Sequence, residues 1–313
     1  MSNHKILITD GLDNIGQTIL RKSSSVEDRT GISADELLEI ISEFDAIVVR
    51  GRTKVTANVF QAAKNLKVVG RAGVGVDNID LEEAQSHGVT VINAPTATTL
   101  AVAELTFGLM LSMAREIPQA DAGMKTGKWL KKSLGGIELS GKTLGILGMG
   151  RIGSEVGRRA KAFGMQVLGY DPLIPPDEIQ RRGAEPSGLN QIYSRSDFIS
   201  LHLPLTDDTR NLVGVDAFER MKKGVRLVCA ARGGIINESA LLHALNSGKV
   251  AGAALDVFAQ EPPGASELVA HPKMIATPHI GAQTAEAQAR AAEDIANEVL
   301  AALNGEPLHW KVA

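Results

Sequence analysis

LGILGMGRIGSEVGRRAKAFGMQVLGYD, residues 144–171, joins a branched apolar run to three glycines spaced G-x-G-x-x-G, a helical pattern, and a second apolar run that ends on Asp171. Strand, tight turn, helix and strand in that order make a βαβ unit built to hold a dinucleotide. Gly148 permits the tight turn, Gly150 lets backbone approach a pyrophosphate, and Gly153 lets the helix pack closely on the strand, while the helix N-terminus favours the phosphate charge. Thirty-two glycines in the chain would make the bare spacing weak. Its placement between a strand and a helix, with an acid at the end of the next strand, makes it specific. Asp171 is expected to accept from both hydroxyls of the adenosine ribose and to repel a 2′-phosphate, which selects NAD over NADP. Arg151, between the second and third glycines, either pairs with a phosphate or simply faces the pyrophosphate.

Outward from this unit, short apolar runs alternate with helical patterns along the whole chain, the mark of parallel sheets covered by helices. KILIT (5–9), AIVVR (46–50), KVVGR (67–71) and VTVIN (89–93) read as buried strands before it. TLGIL (143–147), QVLGY (166–170), DFISLHL (197–203), VRLVCAA (225–231), AGAALDV (251–257) and MIAT (274–277) supply six strands for a second doubly wound sheet. Ser33 with Glu36 three residues on predicts a capping box, and Thr56 is placed to cap the helix that follows it. Residues 98–113 predict a long helix, too apolar all round to show water a wide side; it is either a core helix or a dimer-facing one. TAEAQARAAEDIANEVLAALNG (284–305) predicts a last helix ending at Gly305 that crosses back to the first domain. The expected division is a first domain over 1–94, a dinucleotide-binding domain over 95–283, and a return helix over 284–313.

A chain of 313 residues with 44% hydrophobic and 22% charged residues suits two globular domains and excludes a disordered or collagen-like polymer. A net charge near −3 offers no basic face to nucleic acid or anionic lipid. The single cysteine, Cys229, excludes an internal disulfide and suits a reducing compartment. The start, MSNHKILITDG, lacks the pattern of a secretory leader, and no apolar run is long enough to cross a bilayer. A cytoplasmic protein without membrane or nucleic-acid partners is the expectation.

In doubly wound sheets, ligands sit beyond the carboxyl ends of the strands, so polar residues just after strand runs are the first catalytic candidates. Arg232, Glu261 and His279 stand there. Histidine suits a base that takes a hydroxyl proton near neutral pH, a carboxylate on its other ring nitrogen fixes its tautomer, and an arginine fork can hold a carboxylate two-handed. Together they describe hydride transfer from a secondary alcohol. His202, also near a strand end, is the rival base, with a packing role near the cofactor as its other reading. His271 is expected to be exposed, and Cys229 to be a small buried hydrophobe. No cluster has metal-site spacing.

With VGRAGVGVDNID (69–80), GKTLGILGMGRIG (141–153), CAARGGIINE (229–238), AALDVFAQEPP (253–263) and TPHIGAQT (277–284) in view, the chain resembles the D-isomer-specific 2-hydroxyacid dehydrogenase family. Within that family it most resembles the catalytic core of the phosphoglycerate-oxidising branch. The resemblance implies a Rossmann-type domain beside a flavodoxin-like substrate domain built from both termini. It implies the catalytic set Arg232, Glu261 and His279, and cofactor contacts at Arg151, Ile152, Asp171, Ala230, Asp256 and Gly281. It also implies substrate contacts at Arg50, Val74, Gly75, Lys131 and Arg232, and a homodimer through the 98–113 helix region. The expected reaction is NAD-dependent oxidation of D-3-phosphoglycerate or the reverse reduction of 3-phosphohydroxypyruvate. A glyoxylate or hydroxypyruvate reductase, or a dehydrogenase of another acidic 2-hydroxy acid, is the alternative, because Thr98 stands where the branch commonly places an asparagine. An NAD-sensing corepressor is the alternative of another class. Longer relatives continue past the position of Ala313 into a serine-sensing domain, so feedback by serine through such a domain is not expected.

Overall fold

A computed structural model describes residues 4–313; residues 1–3, part of the start discussed above, lie outside the described residues. The chain divides into two units, Met1–Thr98 with Ala282–Ala313, and Thr99–Gly281. The first unit keeps residues 95–98, which the sequence gives to the second, because Ala94 and Ala97 pack on Ala291 and Arg290 Nε donates to the Ala97 carbonyl. It likewise keeps Ala282, whose carbonyl accepts from Gln288.

In chain order the first unit opens with β1 (His4–Ile8), α1 (Asn14–Arg21), β2 (Ser24–Asp28), α2 (Ala34–Ile40), β3 (Ala46–Val49), α3 (Ala57–Ala62), β4 (Val68–Arg71), α4 (Leu81–Ser86) and β5 (Thr90–Asn93). The second comprises α5 (Thr99–Ala114), α6 (Ile117–Lys125), β6 (Thr143–Leu147), α7 (Arg151–Ala162), β7 (Gln166–Tyr170), α8 (Pro176–Arg181), β8 (Glu185–Pro186), α9 (Leu189–Arg195), β9 (Phe198–Leu201), α10 (Val215–Arg220), β10 (Val225–Cys229), α11 (Glu238–Asn246), β11 (Val250–Leu255) and β12 (Met274–Ala276). The long helix α12 (Ala285–Asn304) returns to the first unit.

The first sheet is parallel in the order β2-β1-β3-β4-β5, the flavodoxin-like arrangement. Its inner strands β1, β3 and β4 are apolar on both faces because helices cover both. Leu7, Ile47, Val49 and Val69 pack with Leu37, Phe44 and Phe60, whereas Ile6, Ile8, Val48 and Val68 pack with Leu20, Ile295, Ala296 and Val299. α12 seats tightly here. A Cβ on Gly16 of α1 would stand 2.6 Å from the Ala292 carbonyl oxygen, and one on Gly70 of β4 would stand 2.7 Å from Val299. Thr284 caps α12 through Ala287 N–H, and Gly305 ends it in the left-handed region at φ 73°. The expected capping box is present at α2, where Ser33 and Glu36 bond reciprocally. Thr56 makes no side-chain cap at α3, because its own carbonyl already takes the Val59 N–H at 2.9 Å.

The second sheet is parallel in the order β12-β11-β10-β9-β6-β7-β8. Counted from β6 this is the 3-2-1-4-5-6 order of dinucleotide-binding sheets with one strand added, and it reverses direction between β6 and β9. The sheet has seven strands where the sequence shows six, since β8 is a two-residue edge. α5 buries Ala103, Phe107, Met110 and Met113 in the core it shares with β6, α7 and β9, while Leu100 is 44% exposed. No helix among the described residues is long and apolar enough to cross a membrane.

Candidate active site

All strands of the second sheet run the same way, so the glycine turn after β6 and the loops after β10, β11 and β12 leave one edge of that sheet. Gly148 adopts φ 96°, and a Cβ there would stand 2.6 Å from the His202 carbonyl oxygen, so both conformation and space demand glycine. A Cβ on Gly153 would collide with the Gly148 carbonyl, which is how closely α7 approaches β6. Gly150 is different. It is the N-cap of α7, no side chain caps the helix, and the position its Cβ would take is open space. A helix end that no side chain caps, with a bare backbone approach, fits the pyrophosphate of a dinucleotide. Arg151 and Ile152 form the first turn of α7. The Asp171 carboxylate accepts from Met149 N–H and from Leu173 N–H, both at 2.9 Å, so the acid expected to receive the ribose also braces the turn.

His279 and Glu261 meet at 2.7 Å between Nδ1 and Oε2, and the other carboxylate oxygen accepts from Phe258 N–H at 3.0 Å. A carboxylate can only accept, so Nδ1 carries the proton and Nε2 of the neutral ring is left as a base. Both side chains are partly open, 49% and 37% exposed. The loop after β10 is pressed against the same segment, since a Cβ on Gly233 would collide with the Phe258 carbonyl. This brings the Arg232 loop beside the segment that holds Glu261. Arg232 is half-buried, one Nη donating to the Ala231 carbonyl at 2.6 Å, and Ala230 lies one residue beyond β10.

His279 has φ 54°, a left-handed conformation rare for a residue with a side chain. Buried Asp256, one residue beyond β11, imposes it. Its carboxylate takes the Thr277 hydroxyl at 2.6 Å, Ile280 N–H at 2.9 Å and Gly281 N–H at 2.8 Å, and its carbonyl takes His279 N–H at 2.9 Å. Asp256 and Gly281, implied by resemblance as cofactor contacts, are thus bonded to each other.

His202 is a poor base. Burial pushes its pKa down to about 4, and its Nε2 lies 2.8 Å from the Ser200 hydroxyl. Cys229 is buried as expected, its thiol pushed up to about 11 by desolvation. His271 is half-buried rather than exposed, because its ring folds back on its own loop, Nδ1 accepting from Lys273 N–H at 3.1 Å. Lys131 is exposed, two residues past the exposed Trp129. Among the described residues no group of three His, Cys, Asp or Glu side chains is placed to hold a metal ion.

In the first unit, Arg50 follows β3 and Val74 and Gly75 follow the neighbouring β4, so these three share the carboxyl edge of their sheet. Half-burial lowers the pKa of the Arg50 guanidinium, with Asp10 opposing, and no acidic side chain among the described residues hydrogen-bonds it. Thr98 is buried, 4% exposed. Two supporting residues went unseen in the sequence. Asp10 holds the Arg50 loop by accepting from Arg50 N–H at 2.8 Å and Thr53 N–H at 3.0 Å, and Asn93 donates to the Val74 carbonyl at 2.6 Å. Each sits at a strand end beside its target, a position that only the sheet order reveals.

Residues 107–281 match the family described as D-isomer specific 2-hydroxyacid dehydrogenase, NAD binding domain. The chain is 50% identical over 303 residues to a D-3-phosphoglycerate dehydrogenase of Methanocaldococcus jannaschii, covering 96% of this chain and 58% of that protein. It therefore spans little more than half the length of that curated relative. A glyoxylate reductase from Paecilomyes thermophila superposes with a TM-score of 0.91 at 31% identity, covering 100% of this chain and 99% of the other. A D-lactate dehydrogenase from Aquifex aeolicus, complexed with NAD and lactic acid, superposes with a TM-score of 0.84 at 28% identity, covering 96% of each. With its glycine turn, its sheet order and these matches, the chain belongs to the D-isomer specific 2-hydroxyacid dehydrogenase family, and its second unit is that family's NAD-binding domain.

Proposed function

We propose that the chain is an NAD-dependent oxidoreductase of a D-2-hydroxy acid, interconverting D-3-phosphoglycerate and 3-phosphohydroxypyruvate. The observation that carries the chemistry is the 2.7 Å His279–Glu261 pair on the same sheet edge as the glycine turn. When bound at the glycine turn, a nicotinamide dinucleotide would supply the hydride acceptor. Nε2 of His279 takes the hydroxyl proton as the carbon loses its hydride, so the alcohol becomes a ketone and one proton is released. Glu261 stabilises the charged imidazole that results. Arg232 holds the substrate carboxylate and polarises the carbonyl in the reductive direction. Arg151, Ile152, Ala230, Asp256 and Gly281 are assigned to the dinucleotide. Arg50, Lys131 and the N–H groups of Val74 and Gly75 are assigned to the anionic groups of the substrate.

The phosphorylated substrate is supported by the half-identical relative named for it and by Arg50, a half-buried guanidinium without a hydrogen-bonded acid. A glyoxylate or hydroxypyruvate reductase is the second reading, supported by a full-length structural neighbour of that name and by Thr98 in place of an asparagine. Our reading includes a homodimer through the 98–113 region, for which exposed Leu100 on α5 speaks, and a cytoplasmic location, in keeping with one buried thiol. It includes no nucleic-acid partner, in keeping with the net charge of −3.

A substrate panel tests the proposal. NADH-dependent reduction of 3-phosphohydroxypyruvate should exceed that of hydroxypyruvate in kcat/KM by about tenfold or more, the worth of one or two charge-assisted hydrogen bonds to phosphate. A preference for hydroxypyruvate or glyoxylate would move the assignment to the second reading.

A further inference from the structure

Met149, the second residue of the glycine turn, is gripped at both ends. Its N–H donates to Asp171, and its carbonyl accepts from Arg182 Nη1 at 2.7 Å and from the Ser154 hydroxyl at 3.1 Å. An acid and a base thus flank one residue, their charged atoms no more than roughly 10 Å apart along the connecting bonds. Arginine near the ribose end of such a turn is what admits a 2′-phosphate in NADP-binding relatives of this fold. Arg182 caps the C-terminal end of α8 within reach of the turn, so the sequence places a cation where it would undercut the selection by Asp171.

Glu178, one helical turn earlier on α8, counters it. Its Oε1 accepts from Arg182 Nε at 2.7 Å and its Oε2 pairs with Arg181 Nη2 at 2.7 Å. Nε and Nη1 of Arg182 are both engaged, one on the acid and one on the Met149 carbonyl, and the carboxylate offsets the guanidinium charge. Helical spacing of i and i+4 holds the pair in register without help from the ligand.

We propose that Glu178 is a specificity-determining residue for the dinucleotide: by holding Arg182 on the Met149 carbonyl it withholds that guanidinium from a 2′-phosphate, so exclusion of NADP rests on the Glu178–Arg182 pair as well as on Asp171. This rests on the NAD site assigned to the glycine turn. Removing Glu178 releases a cation that can turn toward a phosphorylated ribose. Removing Arg182 as well takes that cation away.

Binding of NADH and NADPH to the full chain, by calorimetric titration, tests this without any substrate. In Glu178→Ala the affinity for NADPH relative to NADH should rise about tenfold, the worth of one charge-assisted hydrogen bond. In the double variant Glu178→Ala, Arg182→Met the ratio should return to that of the wild type. Glu178→Gln keeps the side-chain shape and removes the charge, so it should shift the ratio in the same direction should the alanine variant fold poorly. A wild-type ratio in both single variants, or a ratio that stays raised in the double variant, overturns the proposal. Absence of NADH binding by the wild type overturns the underlying assignment of the cofactor site instead.

Discussion

Replacing His279 by alanine removes the one ring whose nitrogen is oriented by Glu261, and turnover should fall on the order of a hundredfold or more, the usual worth of general acid–base catalysis. NADH affinity should change little, because the glycine turn is untouched; steady-state kinetics and NADH titration read the two separately. The other histidine near a strand end behaves in the opposite way. His202 is held neutral by burial, with its pKa near 4 in the fold against 6.5 in the unfolded chain. The depressed value leaves stability complete above pH 6.5. As pH falls toward 4 the unfolded chain binds a proton that the fold refuses, and stability drains by on the order of 1 kcal/mol per pH unit. Urea midpoints measured from pH 7 to 4.5 should therefore fall less steeply in His202→Gln than in the wild type. Parallel slopes would show that another group dominates the acid limb.

α7 must lie against β6 for its N-terminus to meet a ligand, and Gly153 is what lets it. Gly153→Ala sets a Cβ against the Gly148 carbonyl, so the helix must shift; overpacking of this kind destabilises by about 1–3 kcal/mol and should weaken NADH binding with it. Thermal melting and NADH titration check both effects, and a variant that melts as the wild type with unchanged affinity would show that the turn has slack. Elements with strong apolar patterns were legible in the sequence: the strands around Ile47, Val69, Ile146 and Leu227, the capping box at Ser33, and α12 with its Thr284 and Gly305 ends. β2 was not, since SSVED at the sheet edge needs no apolar face, and neither was β8, two residues long and ending in Pro186. The same limit applies to the site. Arg232, Glu261 and His279 show themselves by following strand runs, whereas the roles of Asp10, Asn93 and Arg182 depend on bonds to backbone 43, 19 and 33 residues away. Such bonds leave no local pattern.

At the scale of the molecule, the first unit is made from the two ends of the chain and the second from its middle. One face of the first sheet has Ile295, Ala296 and Val299 of α12 as its cover, and β5 is closed by the tail, where Val91 N–H donates to the Ala313 carbonyl and buried Glu298 accepts from His309 and Trp310 N–H. A chain truncated after Gly281 should lose amide protection throughout residues 4–98 while residues 99–281 keep theirs; hydrogen exchange read by mass spectrometry would show it, and protection retained in β1 and β4 would contradict it. The return of α12 also sets an order of birth. The strands of the first unit are made before α12, and Val299 follows Thr98 by some 200 residues, about 10–40 s at ordinary rates of synthesis. During that interval residues 99–281 can finish folding while residues 4–98 wait with one apolar sheet face bare, so the half-made first unit is the one most in need of a holding chaperone.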